Sequence, residues 1–539
     1  MLLVESQPAG EVDEGGLFMT AVAAPVASGQ RQGSRAPVRR RLPSYLYPIA
    51  AGIIGAIAFL VVHPQVGDLW AARARQSAAA HGVGLTYWFS WFGGGSTPGN
   101  YSVLIPFVST LLGAAFLGAL ATAAITPLCW RLVRGSSYPL AATWVATVAA
   151  GLSLWSGRIP FAVGTAISVA ALIAVRDQRR ILAALLTVLT VLFSPVSGAF
   201  IALGLVGTLL YRSYRTISAT TILTAGVTLG VVGAVFGAPG PEGFTAKQAL
   251  VTASALLLFL ASRPPKHLGV VILLSLLACP LLVAIPNGMG SNFQRLVWIC
   301  LPVAVVATAR TRLRFAGFAS ALAIVSGALG TAHDVAVARA PMSTVSYYAP
   351  LAAELDRIPA LTSYRLEAVP DGTHTASYAL LDHAMLARGY LTQTDNALNA
   401  VLTSRATLNA LTYKIWLDNN AVGYVAIGRT ALNPNPEYEL VSGGQLPYLT
   451  KIWSDTNWTL YRVESPTPIV APPARIRDAD QSSMTVDVPK AGKLPVRVRW
   501  SKFLTADAPG HASGATVTDD GYGWTILTAP VPGPYVLHG

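Results

Sequence analysis

The chain has 539 residues, of which 53 % are hydrophobic and 12 % charged, with a mean hydropathy of +0.50 and a net charge of +13. A soluble domain carries roughly twice that charge, so an ordinary globular protein is excluded. The basic surplus does not speak for nucleic acid, because it lies in short clusters between apolar runs, where membrane topology places it.

Residues 1–44 are polar, rich in Gly, Ala and Ser, and aperiodic, which reads as a disordered tail. The tail ends near Arg39, Arg40 and Arg41. The apolar stretch that follows has no small-residue cleavage site and is long enough for a retained anchor rather than a signal peptide.

Apolar segments bounded by charge or by Pro and Gly then recur, near 45–62, 103–126, 139–155, 160–175, 181–193, 199–211, 218–236, 249–262, 268–286, 296–309 and 315–332. The reading is a mainly α membrane protein with about eleven transmembrane helices over 45–335. Basic residues set its orientation. One alternate set of loops holds Arg131 and Arg134; Arg176, Arg179 and Arg180; Arg212 and Arg215; Arg263 and Lys266; and Arg310, Arg312 and Arg314. The opposite short loops hold Arg158, Lys247 and Arg295. This positive-inside bias predicts a cytoplasmic N-terminus, and an odd number of crossings puts everything after about His333 outside the cytoplasmic membrane.

The first outer loop, 63–102, is long. In HPQVGDLWAARARQSAAAHGVG, Leu69, Ala72 and Gln76 follow a helical spacing, which predicts a juxtamembrane helix lying in the interface. Arg73 and Arg75 fall on its other faces, suited to phosphate or to lipid headgroups. Next come Tyr87, Trp88, Phe89, Trp91 and Phe92, an aromatic cluster that fits a membrane-interface belt or a sugar platform. The later outer loops are short but rich in breakers, and loop elaboration on one face is where function concentrates.

From about 341 the composition changes. TSYRLEAVP and GYVAIG read as strands, and HAMLARGYLTQTDNALNAVL and TLNALTYKIWLDNNAV as helices, which predicts an extracytoplasmic α/β domain over 341–468. SPTPIVAPPAR is a Pro-rich linker. Five short strand patterns in 471–539 predict a small β-sandwich-like sheet. The three cysteines, Cys129, Cys279 and Cys300, lie in or beside apolar runs and permit no disulfide framework in the outer part.

GDLWAARARQSAAAHGVG followed by WFSWFGGGSTPGNYSVLIP resembles the first outer loop of bacterial GT-C-type membrane glycosyltransferase-like proteins, in particular an actinobacterial group of integral membrane proteins. SGRIPFAVG, LFSPVSGAF and NFQRLVWICLP are similar to later landmarks of that family, and GYLTQTDNALNAVL with YKIWLDNNAVGYVAIG to its outer domain. The resemblance covers most of 45–539. It implies a polyprenyl-phosphate-linked sugar donor, a glycan or lipid acceptor of the cell envelope, and an acidic base or metal ligand just after the first helix. Asp68 matches that position. The family often carries paired acids there, whereas this loop offers Asp68 alone.

Asp68 is thus the candidate catalytic carboxylate. It suits proton removal from an acceptor hydroxyl or binding of a divalent cation such as Mg or Mn; the structural alternative is a favourable place at a helix N-terminus. Arg295 sits outside against the charge rule, at a helix start, and with Arg158 suits a lipid phosphate through bidentate contacts; a snorkelling role competes. His63, Tyr87, Trp88, Trp91, Glu242 and Asn292 are candidate substrate-lining residues. Asp334 reads as a cap after the last helix. Gln393, Asp395, Asn396 and Asn399 form a polar helix face that suits sugar or plain solvation. Two other functions compete with transfer: a transporter or flippase, which the near absence of charge inside the apolar segments disfavours, and a non-catalytic envelope scaffold with a glycan- or protein-binding outer domain.

Overall fold

The computed structural model describes residues 42–94, 97–238, 240–309, 312–511 and 513–539. Residues 1–41 of the predicted tail, and Arg310, lie outside them. The N-terminal part is helical: α1 (Leu46–Val62), α2 (Gly67–Ala80), α3 (Ile105–Leu112), α4 (Ala114–Val133), α5 (Pro139–Trp155), α6 (Ile159–Arg176), α7 (Arg180–Phe193), α8 (Pro195–Val206), α9 (Arg212–Phe236), α10 (Ala246–Ala261), α11 (Lys266–Ala284), α12 (Leu301–Thr308) and α13 (Leu313–Val337). Among the described residues six helical stretches are long and apolar enough to cross a membrane: α4, α6, α9, α11, Gly290–Thr308 and α13. A seventh results if α1 and α2, bent by 72° at their junction, count as one broken span. The other apolar helices are shorter, so of the eleven expected crossings six meet the length and composition of a span. Leu111, Ile181 and Val61 on these helices are 85 %, 79 % and 74 % exposed. Aliphatic surface of that extent is the signature of a face turned to lipid.

Two predicted elements of this helical part change. The segment 103–126 is not one helix: Gly113, at φ +79°, breaks it into α3 and α4. The first N–H of α4 is satisfied across the break by the Gln76 side chain of α2, at 2.8 Å. Nor does α2 float in the interface. Leu69, Trp70, Ala71, Ala72, Ala74, Arg75 and Ala78 are all buried, and the Trp70 indole donates to the Ser343 carbonyl at 3.2 Å. Small residues on several faces let this helix lie closely between the bundle and the C-terminal part.

That part begins with α14 (Val345–Leu355). β1 (Arg365–Ala368), β2 (Val422–Gly428), β3 (Leu449–Ser454) and β4 (Trp458–Val463) make a mixed sheet in the order β1-β2-β4-β3, with β1 parallel to β2 and the other pairs antiparallel. Every residue of β2 is buried, as a central strand covered on both faces must be. Around the sheet lie α15 (Ala376–Ala379), α16 (Thr392–Leu398), α17 (Ala410–Asn419) and α18 (Pro436–Ser442). The helix expected over 383–402 shrinks to α16 and one 3₁₀ turn. Its first residues are extended instead: Leu386 N–H donates to Ser90, and Ala387 N–H donates to Leu366 on β1.

Two further sheets close the chain. β5 (Arg475–Ala479), β6 (Ser483–Val488), β7 (Gly492–Arg499), β8 (Thr505–Asp507), β9 (Thr516–Asp519), β10 (Trp524–Ala529) and β11 (Gly533–His538) form one sheet ordered β7-β10-β9 and another ordered β5-β6-β11-β8. Burial alternates along β6 and β10, the period of strands packed on one face. Val486, Val496, Val498, Leu527, Tyr535 and Leu537 fill the space between.

The aromatic cluster of the first loop belongs to these cores. Trp88, Trp91 and Phe92 pack with Tyr348, Leu366 and Trp458, and Tyr87 and Phe89 with Val486 and Leu527. All five are at most 2 % exposed. Tyr87, Trp88 and Trp91 are therefore neither an interface belt nor a sugar platform; burying several large rings at once stabilises the C-terminal part far more than a solvated loop would.

Arg365 locks this junction. Its guanidinium donates to the carbonyls of Asn420 (2.8 Å), Gly93 (3.3 Å) and Arg497 (2.6 Å), one from each of the three parts it joins. Burial pushes its pKa down to about 9. Arg365→Met is expected to leave three carbonyls without their donor, cost about 1–3 kcal/mol, and make 465–475 a site of rapid limited proteolysis. An unchanged cleavage pattern and melting temperature would show that the latch has no such role.

Candidate functional site

Asp68 occupies the first turn of α2, where the helix dipole favours a carboxylate. It is drawn close to the bundle by Gly157. That glycine has φ +75°, and a Cβ on it would lie 2.6 Å from the Leu69 amide nitrogen; no other residue permits the approach. The next residue, Arg158, caps α6 and points its Nε to Asp68 Oδ2 at 3.7 Å and an Nη to Asp334 Oδ2 at 3.7 Å. Arg295 stands at the start of a π-helical turn, Leu296–Cys300, a distortion common at functional sites. Its guanidinium is 3.9 Å from Asp68 Oδ2 and lies over the Phe161 ring at 5.4 Å.

These distances matter. A saturated guanidinium–carboxylate pair closes to about 2.7–2.9 Å. Here both arginines hold back, the Arg158 Nε has no hydrogen-bond partner, and both side chains are partly exposed. The two forks still have N–H groups to offer a further anion. Arg75 stacks on Tyr101 at 4.0 Å and has an unpartnered Nη2. Arg73, by contrast, lies over Trp70 at 4.7 Å.

The other oxygen of Asp68 accepts a hydrogen bond from the Tyr390 hydroxyl. Burial and the adjacent carboxylate hold that phenol well above its usual pKa, so Tyr390 stays the donor. Three residues on, Gln393 donates to Glu242 at 2.7 Å, which also accepts from Asn292 (2.7 Å) and Ser291. Burial raises the pKa of Glu242 above the ordinary carboxylate range. Gly240, at φ +109°, lets this loop approach: a Cβ there would lie 2.3 Å from the Gln393 carbonyl oxygen. One short segment of the C-terminal part thus touches both carboxylates.

The structure therefore brings together Asp68, Arg158 and Arg295, with Glu242 and Asn292 beside them through Gln393. His63 is not joined to them: it ends α1 at φ +49°, exposed, with Nδ1 on its own helix's Val61 carbonyl. Asp334 is inside α13, facing Arg158, not a cap beyond it. Asp395 and Asn399 are structural: Asp395 pairs with Arg388, and Asn399 accepts from the Trp416 indole at 3.0 Å. Sequence reasoning missed Tyr101, whose ring takes Arg75 of the same loop, and Tyr390; a tyrosine in a soluble-looking segment carries no signal that it reaches a helix 322 residues away.

A protein-held divalent cation does not fit these residues. Asp68 Oδ2 faces two cations and Oδ1 accepts a hydrogen bond from a tyrosine hydroxyl, and among the described residues no three His, Cys, Asp or Glu side chains converge. Hard cations need several free oxygens.

Directly below the arginines, toward the middle of the bundle, is an apolar cavity. Phe161, Ala162, Leu296 and Ile299, which follow Arg158 and Arg295 in the chain, line it with Ile125 and Ala150.

Among solved structures the chain is similar to the arabinofuranosyltransferase AftD from Mycobacteria, at 16 % identity and a TM-score of 0.44, over 84 % of this chain and 42 % of that one. The chain thus spans less than half the length of that protein. No family model matches the sequence, and no curated protein matches it.

Proposed function

We propose that this protein is a membrane glycosyltransferase that takes a sugar from a polyprenyl-phosphate donor on the outer face of the cytoplasmic membrane and passes it to a cell-envelope acceptor. The observation that carries this reading is the pair of unsaturated guanidiniums, Arg158 and Arg295, flanking one carboxylate at the start of the two helical segments whose next turns line an apolar cavity. A lipid phosphate has that chemistry: an apolar tail for the cavity, an anion for the two forks. In the reaction, Asp68 accepts the proton of the acceptor hydroxyl as its oxygen bonds to the anomeric carbon. The bond from that carbon to the phosphate oxygen breaks, and the arginines stabilise the departing polyprenyl phosphate. The charged groups lie at the bundle's edge rather than along a path through it, which favours transfer over transport.

The test is direct binding of polyprenyl phosphate to the protein in nanodiscs. Arg295→Gln is expected to weaken it roughly 10- to 100-fold, the worth of a charge-assisted hydrogen bond of about 1.5–3 kcal/mol. Equal affinity in the two proteins, or none in either, would overturn the assignment of the arginines.

A further inference from the structure

Among the cavities of the C-terminal part, one of about 190 Å³ lies beside Tyr390. One water needs about 10–15 Å³ on such a measure, so this is a chamber and not a packing defect. Its polar lining includes His374, Arg388, Asp395, Asn396 and Tyr390. Tyr390 is the residue whose hydroxyl reaches Asp68, so one side chain belongs to both the chamber and the carboxylate.

The chemistry of the lining selects a ligand class. Arg388 is the one cation among the lining residues, and it is already held by Asp395, by Glu437 at 2.6 Å and by Glu367 at 3.5 Å. No positive charge is left for a phosphate. The groups with capacity to spare are neutral. His374 is exposed and Asn396 half-buried at the rim of this space, and no side-chain hydrogen bond within the described residues occupies either of them. His374 is held at φ +62°, an unfavourable backbone for a non-glycine residue, and its ring meets the Tyr390 ring edge-on at 5.0 Å. Amides and neutral imidazoles that both donate and accept suit hydroxyls. Leu366, Ala368, Ala376 and Leu386 supply the apolar walls between these groups, against which the C–H face of a sugar ring packs.

We infer that this chamber binds the acceptor as a neutral, hydroxyl-rich glycan, and that the Tyr390 hydroxyl stands on Asp68 in the place the acceptor hydroxyl takes during transfer. This rests on the transferase reading and narrows its acceptor from glycan or lipid to glycan. Donor and acceptor then approach Asp68 from opposite sides: the lipid phosphate from the arginines, the glycan from the chamber. The glycan hydroxyl displaces a phenol that already has the donor geometry, so the carboxylate exchanges one hydrogen bond for another and is not left bare.

The experiment is binding of neutral hexose and pentose tetrasaccharides to the full-length protein in nanodiscs, with polyprenyl phosphate binding read on the same samples. Saturable binding of at least one tetrasaccharide is expected, weakened about tenfold in His374→Ala and in Asn396→Ala. Tyr390→Phe is expected to bind it more tightly than the wild type, because the competing hydroxyl is gone; a gain cannot come from misfolding. No saturable binding, binding indifferent to both alanine variants, or weaker binding by Tyr390→Phe would overturn the inference. If lipid phosphate binding survives any of these, the acceptor chamber alone falls; if lipid phosphate binding is what fails, the transferase reading falls with it.

Discussion

Asp68→Asn is expected to lower sugar transfer about 10²- to 10⁴-fold, the range a positioned general base contributes, with folding and lipid phosphate binding retained. The amide keeps the shape of the carboxyl and can still meet Tyr390, but it cannot accept a proton from a hydroxyl. The two arginines lose a neighbouring anion and keep their own N–H groups, so the donor's phosphate still finds them. Single-turnover transfer from a labelled polyprenyl-phosphate sugar is the measurement. A wild-type rate in the Asn variant would remove Asp68 from the chemistry, and Glu242, next in line among the site carboxylates, would be the group to test.

The second large effect is on stability. Arg388→Met is expected to cost about 3–5 kcal/mol, as when one partner of a buried ion pair is removed. Three carboxylates converge on that guanidinium, and Glu367 and Glu437 are fully buried. The same segment carries Tyr390 and Gln393, so the loss also loosens the contacts to Asp68 and Glu242. The cluster has more negative than positive charge. Burial, and then the charge of Glu437, hold the Glu367 pKa well above the ordinary carboxylate range, and Glu367 lies within hydrogen-bonding reach of Glu437. A proton shared by the pair is therefore bound in the folded chain after the unfolded chain has released it. Stability must fall as pH rises from the unfolded carboxylate range toward the folded pKa, since the folded state binds more protons there. Glu367→Gln, which keeps a donor and drops the charge, is expected to flatten that slope. Thermal unfolding between pH 5 and 9 checks both variants; a slope that Glu367→Gln leaves unchanged would place the proton elsewhere.

Much of the architecture was legible in the sequence because hydropathy is local. The apolar segments, the change of composition near 341 and the alternating strands 483–488 and 524–529 all show in short windows. Asp68 could be singled out as the lone carboxylate of the first outer loop, at the position the family resemblance points to, and Arg295 as a charge out of place at a helix start. The errors came where tertiary contact overrides local pattern. Trp88 and Trp91 look like a membrane belt until a sheet from the far end of the chain covers them. Residues 386–387 have helical composition, yet bridge Ser90 and Leu366. Tyr390 is 322 positions from its partner Asp68, and Arg388 collects acids spread over 70 residues of sequence; no window spans either.

The buried rings of the first loop have a consequence for how the chain is made. The Trp91 indole donates to the carbonyl of Ser377, 286 residues downstream. At about 5–20 residues per second of synthesis, on the order of 15–60 s separate the synthesis of the loop from that of its cover. Through that interval five aromatic side chains stand unshielded beside the membrane, an invitation to chaperones and to self-association. A fragment beginning at 341 faces the converse difficulty, since it lacks the rings that complete two of its cores. Maturation of this protein is thus a matter of timing, with a segment made early waiting on strands made late.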